Sequence, residues 1–303
     1  MSIRKAEEAL RATNGVDVFV NNPLSQCTSF RIGGPADLLI TAQTYVGLVQ
    51  AMRILSEEQV SWVVLGRGSN VLVSDDGYRG CVIKLGREFS RMYSEGNLIT
   101  AGSAVLLSHL INETLSRELS GLECCAGIPG TVGGAVSMDA GSRHQWIGQV
   151  VRDVVTLRPG AGMQRYLGSN IEWGYRYCSV PSNEIILEAT FELTPSSKQE
   201  VANEMNRRMA RRRATQPMGK PCCGSVFKNP GDRSVGALLD SCGLKGLRVG
   251  GASVSDKHAN FVVNEGNANA SDVVRVMKQM HREVAERYGI NLVPEVKFLG
   301  FRG

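Results

Sequence analysis

Apolar positions along the chain change period several times, and each change predicts an element. Leu48, Met52 and Leu55 recur at helical spacing and predict an amphipathic helix over 46–58. The unbroken apolar run Trp62-Val63-Val64-Leu65 predicts a buried strand. It enters a tight loop, Gly66-Arg67-Gly68-Ser69-Asn70, and leaves as a second strand, Val71-Leu72-Val73. Strands are expected at 97–101, 150–157 and 184–193; in the last, Ile185, Leu187, Ala189, Phe191 and Leu193 alternate on one side. Between them a helix is expected from 103 to about 119, on Leu107, Leu110, Ile111 and Leu115, followed by a glycine-rich stretch at 126–141.

The polar segment 194–198 reads as a boundary. Beyond it come an arginine-bearing helix, a Gly/Pro/Cys loop at 219–230, a short helix near 235–242 and a strand at 259–264. A final helix is capped by Ser271, anchored by Val273, Met277, Met280 and Val284, and stopped by Gly289. The segment from Pro294 through Glu295 to Gly300 closes the chain as a strand. With no regular βαβ array, the class is α+β.

Composition narrows the function without choosing it. The 303 residues are 43% hydrophobic and 21% charged, ordinary globular values that allow two or three cores. No apolar run approaches the ~20 residues needed to span a bilayer, so no membrane insertion is expected. The N-terminal stretch lacks the apolar centre of a secretion signal, which predicts a cytoplasmic protein with free thiols. Eight cysteines include no C-x-x-C pair, so no metal site is expected. The net charge of +5 comes with a cluster, Arg207, Arg208, Arg211, Arg212 and Arg213. Val201, Met205 and Met209 form the opposing apolar stripe and no aromatic residue interleaves with the arginines, so they read as a solvated helix face and no nucleic-acid partner is expected.

Three glycine-rich segments carry the candidate chemistry: Arg31-Ile-Gly-Gly-Pro-Ala, Gly66-Arg-Gly-Ser-Asn and Ala126-Gly-Ile-Pro-Gly-Thr-Val-Gly-Gly-Ala. Glycine permits positive φ and lets backbone N–H groups crowd around an anion. Each segment alone reads as a structural turn, and Gly66-x-Gly68 fails the dinucleotide fingerprint because Val71 stands where its third glycine belongs. Together they favour a long ligand with a diphosphate, such as a dinucleotide.

In order and text these segments, with Thr28-Ser-Phe-Arg-Ile-Gly-Gly-Pro-Ala-Asp and Leu65-Gly-Arg-Gly-Ser-Asn-Val-Leu-Val, resemble the FAD-binding half of the UDP-N-acetylenolpyruvoylglucosamine reductase family. The second half agrees through Tyr175-Arg176, Gly224-Ser-Val-Phe-Lys-Asn-Pro, Gly250-Gly-Ala-x-Val-Ser-x-Lys-His-Ala-Asn-Phe and Pro294-Glu-Val, so the likeness runs over about 20–300. The resemblance implies a two-part FAD-binding fold of the vanillyl-alcohol-oxidase (PCMH) type, over 1–80 and 81–197. It adds an α+β substrate domain over 198–303, whose terminal strand returns to the active site.

The same resemblance implies the reaction and its residues. NADPH reduces FAD, and the flavin passes hydride to the enolpyruvyl methylene carbon of UDP-N-acetylglucosamine enolpyruvate, giving UDP-N-acetylmuramate for peptidoglycan. Gly66, Arg67, Gly68, Ser69 and Asn70, with Gly127, Ile128, Pro129, Gly130, Gly133, Gly134 and Ala135, would hold FAD. That hold is expected to be non-covalent, since neither His109 nor His144 sits in an attachment motif. Arg176 matches the family's arginine on the substrate carboxylate, Ser225 its proton donor and Glu295 its second charge-bearing group. Read singly, these would be a surface arginine, a turn serine and a surface glutamate. Tyr175, Lys228 and Asn229 are expected to touch the substrate or NADPH; Lys257, His258 and Asn260 also match, with His258 expected to be structural.

Arg176 and Ser225 lie too close in sequence for the inserted tyrosine loop of some members, so the shorter form is expected. A monomer is expected as well. Cys178, Cys222 and Cys223 flank the site motifs and predict sensitivity to alkylation. Two rivals remain: a flavin oxidase of the same fold acting on an alcohol or sugar, which has no use for the Ser225 motif, and a non-catalytic nucleotide-sugar sensor.

Overall fold

The structure, a computed structural model, describes residues 3–142 and 144–301. Two compact units divide it: the first holds residues 1–20, 38–67 and 80–210, the second residues 21–37, 68–79 and 211–303. The division falls within the strands Val16–Pro23, Pro35–Ala42 and Tyr78–Leu85.

The first unit has two cores. In one, helices Ile3–Arg11 and Tyr45–Glu57 bury Leu10, Leu48 and Leu55 with Leu38, Ile40 and Ile83 of the sheet strands. That sheet runs Val16–Pro23, Pro35–Ala42, Tyr78–Leu85, Trp62–Val64, with the last pair parallel. Trp62–Val64 is therefore an edge strand with one neighbour, and its side chains are half-buried instead of buried as the apolar run suggests.

The other core sits on a five-stranded antiparallel sheet, ordered Gly162–Leu167, Val151–Arg158, Ile185–Glu192, Leu98–Gly102, Met92–Glu95. The alternating residues Ala189 and Phe191 face this core with Ile99, Leu110 and Val136, as their period of two dictates. At the rim of the sheet Glu184 is a buried carboxyl with several donors. Arg158 Nε donates to it at 2.7 Å and Tyr166 Oη at 2.8 Å, and the Thr156 hydroxyl donates as well. Burial alone would raise its pKa, but these donors outweigh it and hold Glu184 below the usual carboxylate range.

Two helices differ from expectation here. The predicted 103–119 helix is Leu107–Ser116, because 103–106 is a turn tied to other segments: Ser103 N–H donates to Leu187 C=O at 2.8 Å, Val105 N–H to Gly102 C=O at 3.0 Å, and Leu106 bridges Thr131. The glycine-rich stretch contains a short helix, Val132–Ser137, capped by the Thr131 hydroxyl. The segment 194–198 is also tied down, since Thr194–Pro195 pairs with Leu119–Ser120 before helix Lys198–Thr215 begins.

In the second unit a four-stranded antiparallel sheet runs Cys222–Ser225, Phe261–Asn264, Ala252–Val254, Arg248–Val249. The strand Cys222–Ser225 lies within the expected 219–230 loop. Helix Ala270–Tyr288 covers this sheet with Val273, Val276, Met277, Met280 and Val284, all buried with Phe30, Leu72, Val226, Phe227 and Val296. Each such side chain contributes about 1.5–3 kcal/mol on leaving water. The helix cap is Asn269, in a capping box with Asp272, and not Ser271. Ser271 instead donates to Asp75, whose carboxylate also accepts the N–H of Ala270 at 2.7 Å. Gly289 ends the helix at φ +66°, as its lack of a Cβ permits.

Candidate active site

Three local constructions hold the expected site residues. The first is a hairpin in the first unit. Trp173 pairs with Cys178 and Gly174 with Tyr177, which leaves Tyr175 and Arg176 as a two-residue turn. Arg176 sits at φ +61°, a conformation that costs a non-glycine residue of order 1 kcal/mol. Its guanidinium carbon lies 5.1 Å from the centroid of the exposed Tyr175 ring. Trp173 anchors the hairpin by donating from Nε1 to Gly168 C=O at 3.0 Å, and Cys178 is buried in the core.

The second construction joins the glycine segments of the first unit. Residues 130–133 run beside 103–107, with Leu107 N–H donating to Gly130 C=O, Val132 N–H to Val105 C=O and Gly133 N–H to Ser103 C=O. The N–H of Gly134 is taken by the Thr131 hydroxyl. The N–H groups of Val132, Gly133 and Gly134 are thus spent within the protein, and the expected cradle of amide donors does not form at these residues. The glycines serve close approach. A Cβ on Gly133 would lie 2.7 Å from Ser103 Cβ, and one on Gly66 would lie 2.6 Å from Thr131 Oγ1. Gly127 takes φ +75° just before the exposed Pro129.

Ser103 was not legible as a site residue, yet its Oγ is buried with no hydrogen-bond partner among the described residues. An orphaned hydroxyl beside backbone stripped of side chains suits a cofactor with many acceptor atoms. These features fit FAD.

The third construction, in the second unit, gathers most of the remaining expected residues. Gly68, at φ +62°, packs so closely on the chain that a Cβ would lie 2.5 Å from Cys27 C=O. Its carbonyl accepts Ser29 N–H at 3.2 Å. Asn70 Nδ2 donates to Glu295 C=O at 3.2 Å, and Lys297 N–H donates to Asn70 C=O at 3.0 Å, opening the parallel pair of Val71–Val73 with Lys297–Leu299. Glu295 N–H donates to Val226 C=O and Lys228 N–H to Val293 C=O, both at 2.8 Å, with Phe227 bridging Pro294. The length of chain that follows Ser225 is therefore zipped to the length that carries Glu295. Ser225 is half-buried after Gly224 at φ +78°, while Glu295 is buried.

Asn260 clamps this zipper. Its side chain accepts Phe227 N–H at 3.1 Å and donates to Phe227 C=O at 2.9 Å, both in a buried position. His258 packs its ring 4.8 Å from that of Phe261, and burial lowers its pKa, in keeping with a structural role. Asn229, expected at the substrate, accepts Val235 N–H on its side-chain oxygen at 3.0 Å, at the start of the helix Val235–Ser241 that Ser234 caps. Lys228 is half-buried and Arg67 exposed. Burial pushes the thiols of Cys178, Cys222 and Cys223 up, which opposes the alkylation sensitivity expected of them.

One acid escaped the sequence reading altogether. Asp139, in the first unit, is buried at φ +42° and accepts Gly148 N–H at 3.0 Å. Burial pushes its carboxyl up to about 6, against the opposing pulls of that N–H and of the Arg176 charge. Burial by segments distant in sequence leaves no periodic trace around Asp139.

Among the described residues, no group of histidine, cysteine and carboxylate side chains is arranged to hold a metal ion, and no helix is long and apolar enough to cross a membrane.

Comparison with known proteins extends these observations to nearly the whole chain. The FAD binding domain family matches residues 36–158, and the UDP-N-acetylenolpyruvoylglucosamine reductase, C-terminal domain, family matches 216–299. The reductase of that name from Syntrophotalea carbinolica is 40% identical over 93% of this chain and 94% of its own. That from Bacillus subtilis is 34% identical over 98% and 99%. The crystal structure of the reductase from Thermus caldophilus superposes with a TM-score of 0.81 at 35% identity, covering 94% of this chain and 98% of that one. The protein is an FAD-dependent oxidoreductase, with the FAD-binding fold followed by a reductase C-terminal domain. The chain belongs to the UDP-N-acetylenolpyruvoylglucosamine reductase family.

Proposed function

We propose that this chain reduces the enolpyruvyl double bond of UDP-N-acetylglucosamine enolpyruvate with NADPH, forming UDP-N-acetylmuramate for peptidoglycan synthesis in the cytoplasm. The observation that carries the reading is the zipper between 226–228 and 293–295, which sets a serine hydroxyl and a buried carboxyl on adjoining lengths of chain. The names of the relatives agree with it.

FAD, when bound, supplies the hydride that adds to the substrate's methylene carbon. Addition there drives negative charge onto the neighbouring carbon and its carboxylate. Arg176 takes the carboxylate, since a guanidinium stays charged and grips two oxygens at once. Ser225 gives its proton to the enolate carbon; an alcohol is a weak acid, but a carbanionic carbon is a strong enough base to accept from it. Glu295 offers its carboxyl beside the developing charge. Tyr175, Lys228 and Asn229 contact the UDP-sugar or NADPH. FAD is held without a covalent bond, since neither His109 nor His144 sits in an attachment motif. We assign residues 1–80 and 81–197 to the FAD-binding half and 198–303 to substrate; the compact units, defined by packing alone, divide the chain elsewhere.

The test is anaerobic. Protein reduced by NADPH and then given UDP-N-acetylglucosamine enolpyruvate should regain the oxidised flavin spectrum and yield UDP-N-acetylmuramate in equal amount. A flavin that stays reduced until oxygen is admitted, and then reoxidises rapidly, would instead mark an oxidase.

A further inference from the structure

We propose that Ser29 is a positioning residue for Ser225, its hydroxyl fixing the near end of the β-bulge that leads into Ser225. The proposal rests on the role given to Ser225 above and adds the group that holds its strand in place.

Ser225 ends an irregular strand. Cys222 pairs with Val263 and Ser225 with Phe261, so Cys223 and Gly224 together face the single residue Val262. Gly224 takes φ +78° there, which its missing Cβ permits. A bulge re-aims the side chain beside it, so the placement of Ser225 depends on how firmly both ends of the bulge are held. The far end is fixed by the zipper: Val226 N–H donates to Asn260 C=O at 2.9 Å and Glu295 N–H to Val226 C=O at 2.8 Å. The near end has fewer supports, because Cys222–Ser225 is an edge strand with one neighbour. Asn264 N–H donates to Pro221 C=O at 2.9 Å, which leaves the next carbonyl, that of Cys222, on the outer side of the pair. Ser29 meets it there. Its Oγ donates to Cys222 C=O at 2.7 Å, from 193 positions away in the chain.

Ser29 is itself firmly mounted. The next residue, Phe30, is wholly buried in the core of the second unit, and its carbonyl accepts Asn264 Nδ2 at 3.1 Å. Thr28 Oγ1 donates to Ile32 C=O at 3.1 Å and closes the turn in which Arg31 takes φ +55°. Ser29 N–H donates to Gly68 C=O at 3.2 Å. The Ser29 hydroxyl also lies 3.4 Å from Gly68 C=O, but it has one proton, and the shorter contact to Cys222 takes it. Ser29 therefore grips the Gly68 turn, expected at FAD, by its backbone and the strand of Ser225 by its side chain.

These anchors separate placement from stability. Phe30 and Asn264 tie the turn 28–32 to the sheet without help from the Ser29 hydroxyl. Ser29 and Cys222 are half-buried, so a carbonyl released at Cys222 can turn to water. Removing the hydroxyl loosens the near end of the bulge and leaves the core intact. A proton donor must stand within hydrogen-bond reach of the atom it serves, so a shift of about 1 Å at Ser225 is felt in the rate.

Ser29→Ala removes the hydroxyl and keeps the N–H that holds Gly68. FAD affinity, read by titration of flavin fluorescence, should stay at the wild-type value, and so should reduction of the loaded protein by NADPH under anaerobic conditions. Reoxidation by UDP-N-acetylglucosamine enolpyruvate should slow about tenfold or more, as misplacement of a reacting group does. Ser29→Thr returns a hydroxyl to the same backbone position and should restore most of that rate. In a Ser225→Ala background Ser29→Ala should have no further effect.

Wild-type reoxidation in Ser29→Ala, with Ser225→Ala slow, would overturn this proposal and leave the role of Ser225 standing. Wild-type reoxidation in Ser225→Ala would overturn that role, and this proposal with it. Equal slowing of both half-reactions, or a Ser29→Thr as slow as Ser29→Ala, would also overturn it. So would a Ser29→Ala chain that fails to fold, since the bond would then serve the fold and not the placement of Ser225.

Discussion

The hairpin of Arg176 and the zipper of Ser225 and Glu295 present functional groups in opposite ways. The hairpin places a permanent charge on a two-residue turn, at a strained φ, beside an exposed tyrosine and near a buried acid whose ionised form is disfavoured. The zipper sets a hydroxyl and a carboxyl on segments fixed by paired backbone hydrogen bonds and by Asn260, over a core that includes Val226, Phe227 and Val296. A charge acts over several ångströms and so tolerates placement on a turn. A proton transfer needs hydrogen-bond reach, and so a rigid backbone. In the proposed function each group stands on the support its chemistry requires.

The comparison breaks first at the hairpin. Arg176→Ala should slow flavin reoxidation by the enolpyruvyl substrate about 10²–10³-fold, the usual loss on removing a preorganised charge stabiliser, while NADPH oxidation is nearly unchanged. Stopped-flow spectra of the two half-reactions check this; equal slowing of both would show that Arg176 serves the flavin or NADPH instead.

Rigidity of the zipper is tested next. Asn260→Ala leaves the buried N–H and C=O of Phe227 unpaired and should cost about 2–4 kcal/mol of unfolding free energy in urea titration. A loss below 1 kcal/mol would show that the segment does not need its clamp.

Asp139 sharpens the contrast with a pH dependence. Its carboxyl titrates near 6 when folded and near 4 when unfolded, so the folded chain binds the extra proton between those values. Stability from this group is full below about pH 4 and is lost as pH rises through 6. Asp139→Asn should accordingly stabilise the protein by about 2–3 kcal/mol at pH 8 and by little at pH 4, measured by denaturation at both pH values. A destabilised variant at pH 8 would mean that the carboxylate is structural. The smallest effect lies away from both regions. Gly289→Ala, at φ +66°, should cost about 1 kcal/mol in thermal or urea unfolding, and no change would refute the strain.

Periodicity made the large elements legible. Leu48, Met52 and Leu55 marked a helix, Ala189 and Phe191 a strand, and Val273 to Val284 a covering helix, because one face of each meets a core. Where tertiary pairing decides, local pattern misled. Residues 103–106 read with the helix but form a turn bonded to Leu187 and Thr131, and Cys222–Ser225 became a strand because Phe261–Asn264 pairs with it. The site motifs were visible as text, through Tyr175-Arg176, Gly224-Ser225 and Pro294-Glu295. What supports them was not. Asp139 is buried by segments distant in sequence, Ser103 shows its orphaned hydroxyl only after packing, and the Gly133 and Gly134 amides find protein partners that no glycine count reveals.

In the proposed function Arg176 and Ser225 act on one and the same step. A double-mutant cycle of Arg176→Ala and Ser225→Ala on the reoxidation half-reaction measures it most directly. Each single variant should slow that step alone, and the double variant should lose clearly less than the product of the two, as for groups that act on one transition state. A double variant whose loss equals the full product, or a Ser225→Ala that slows reduction by NADPH as much as reoxidation, would contradict it.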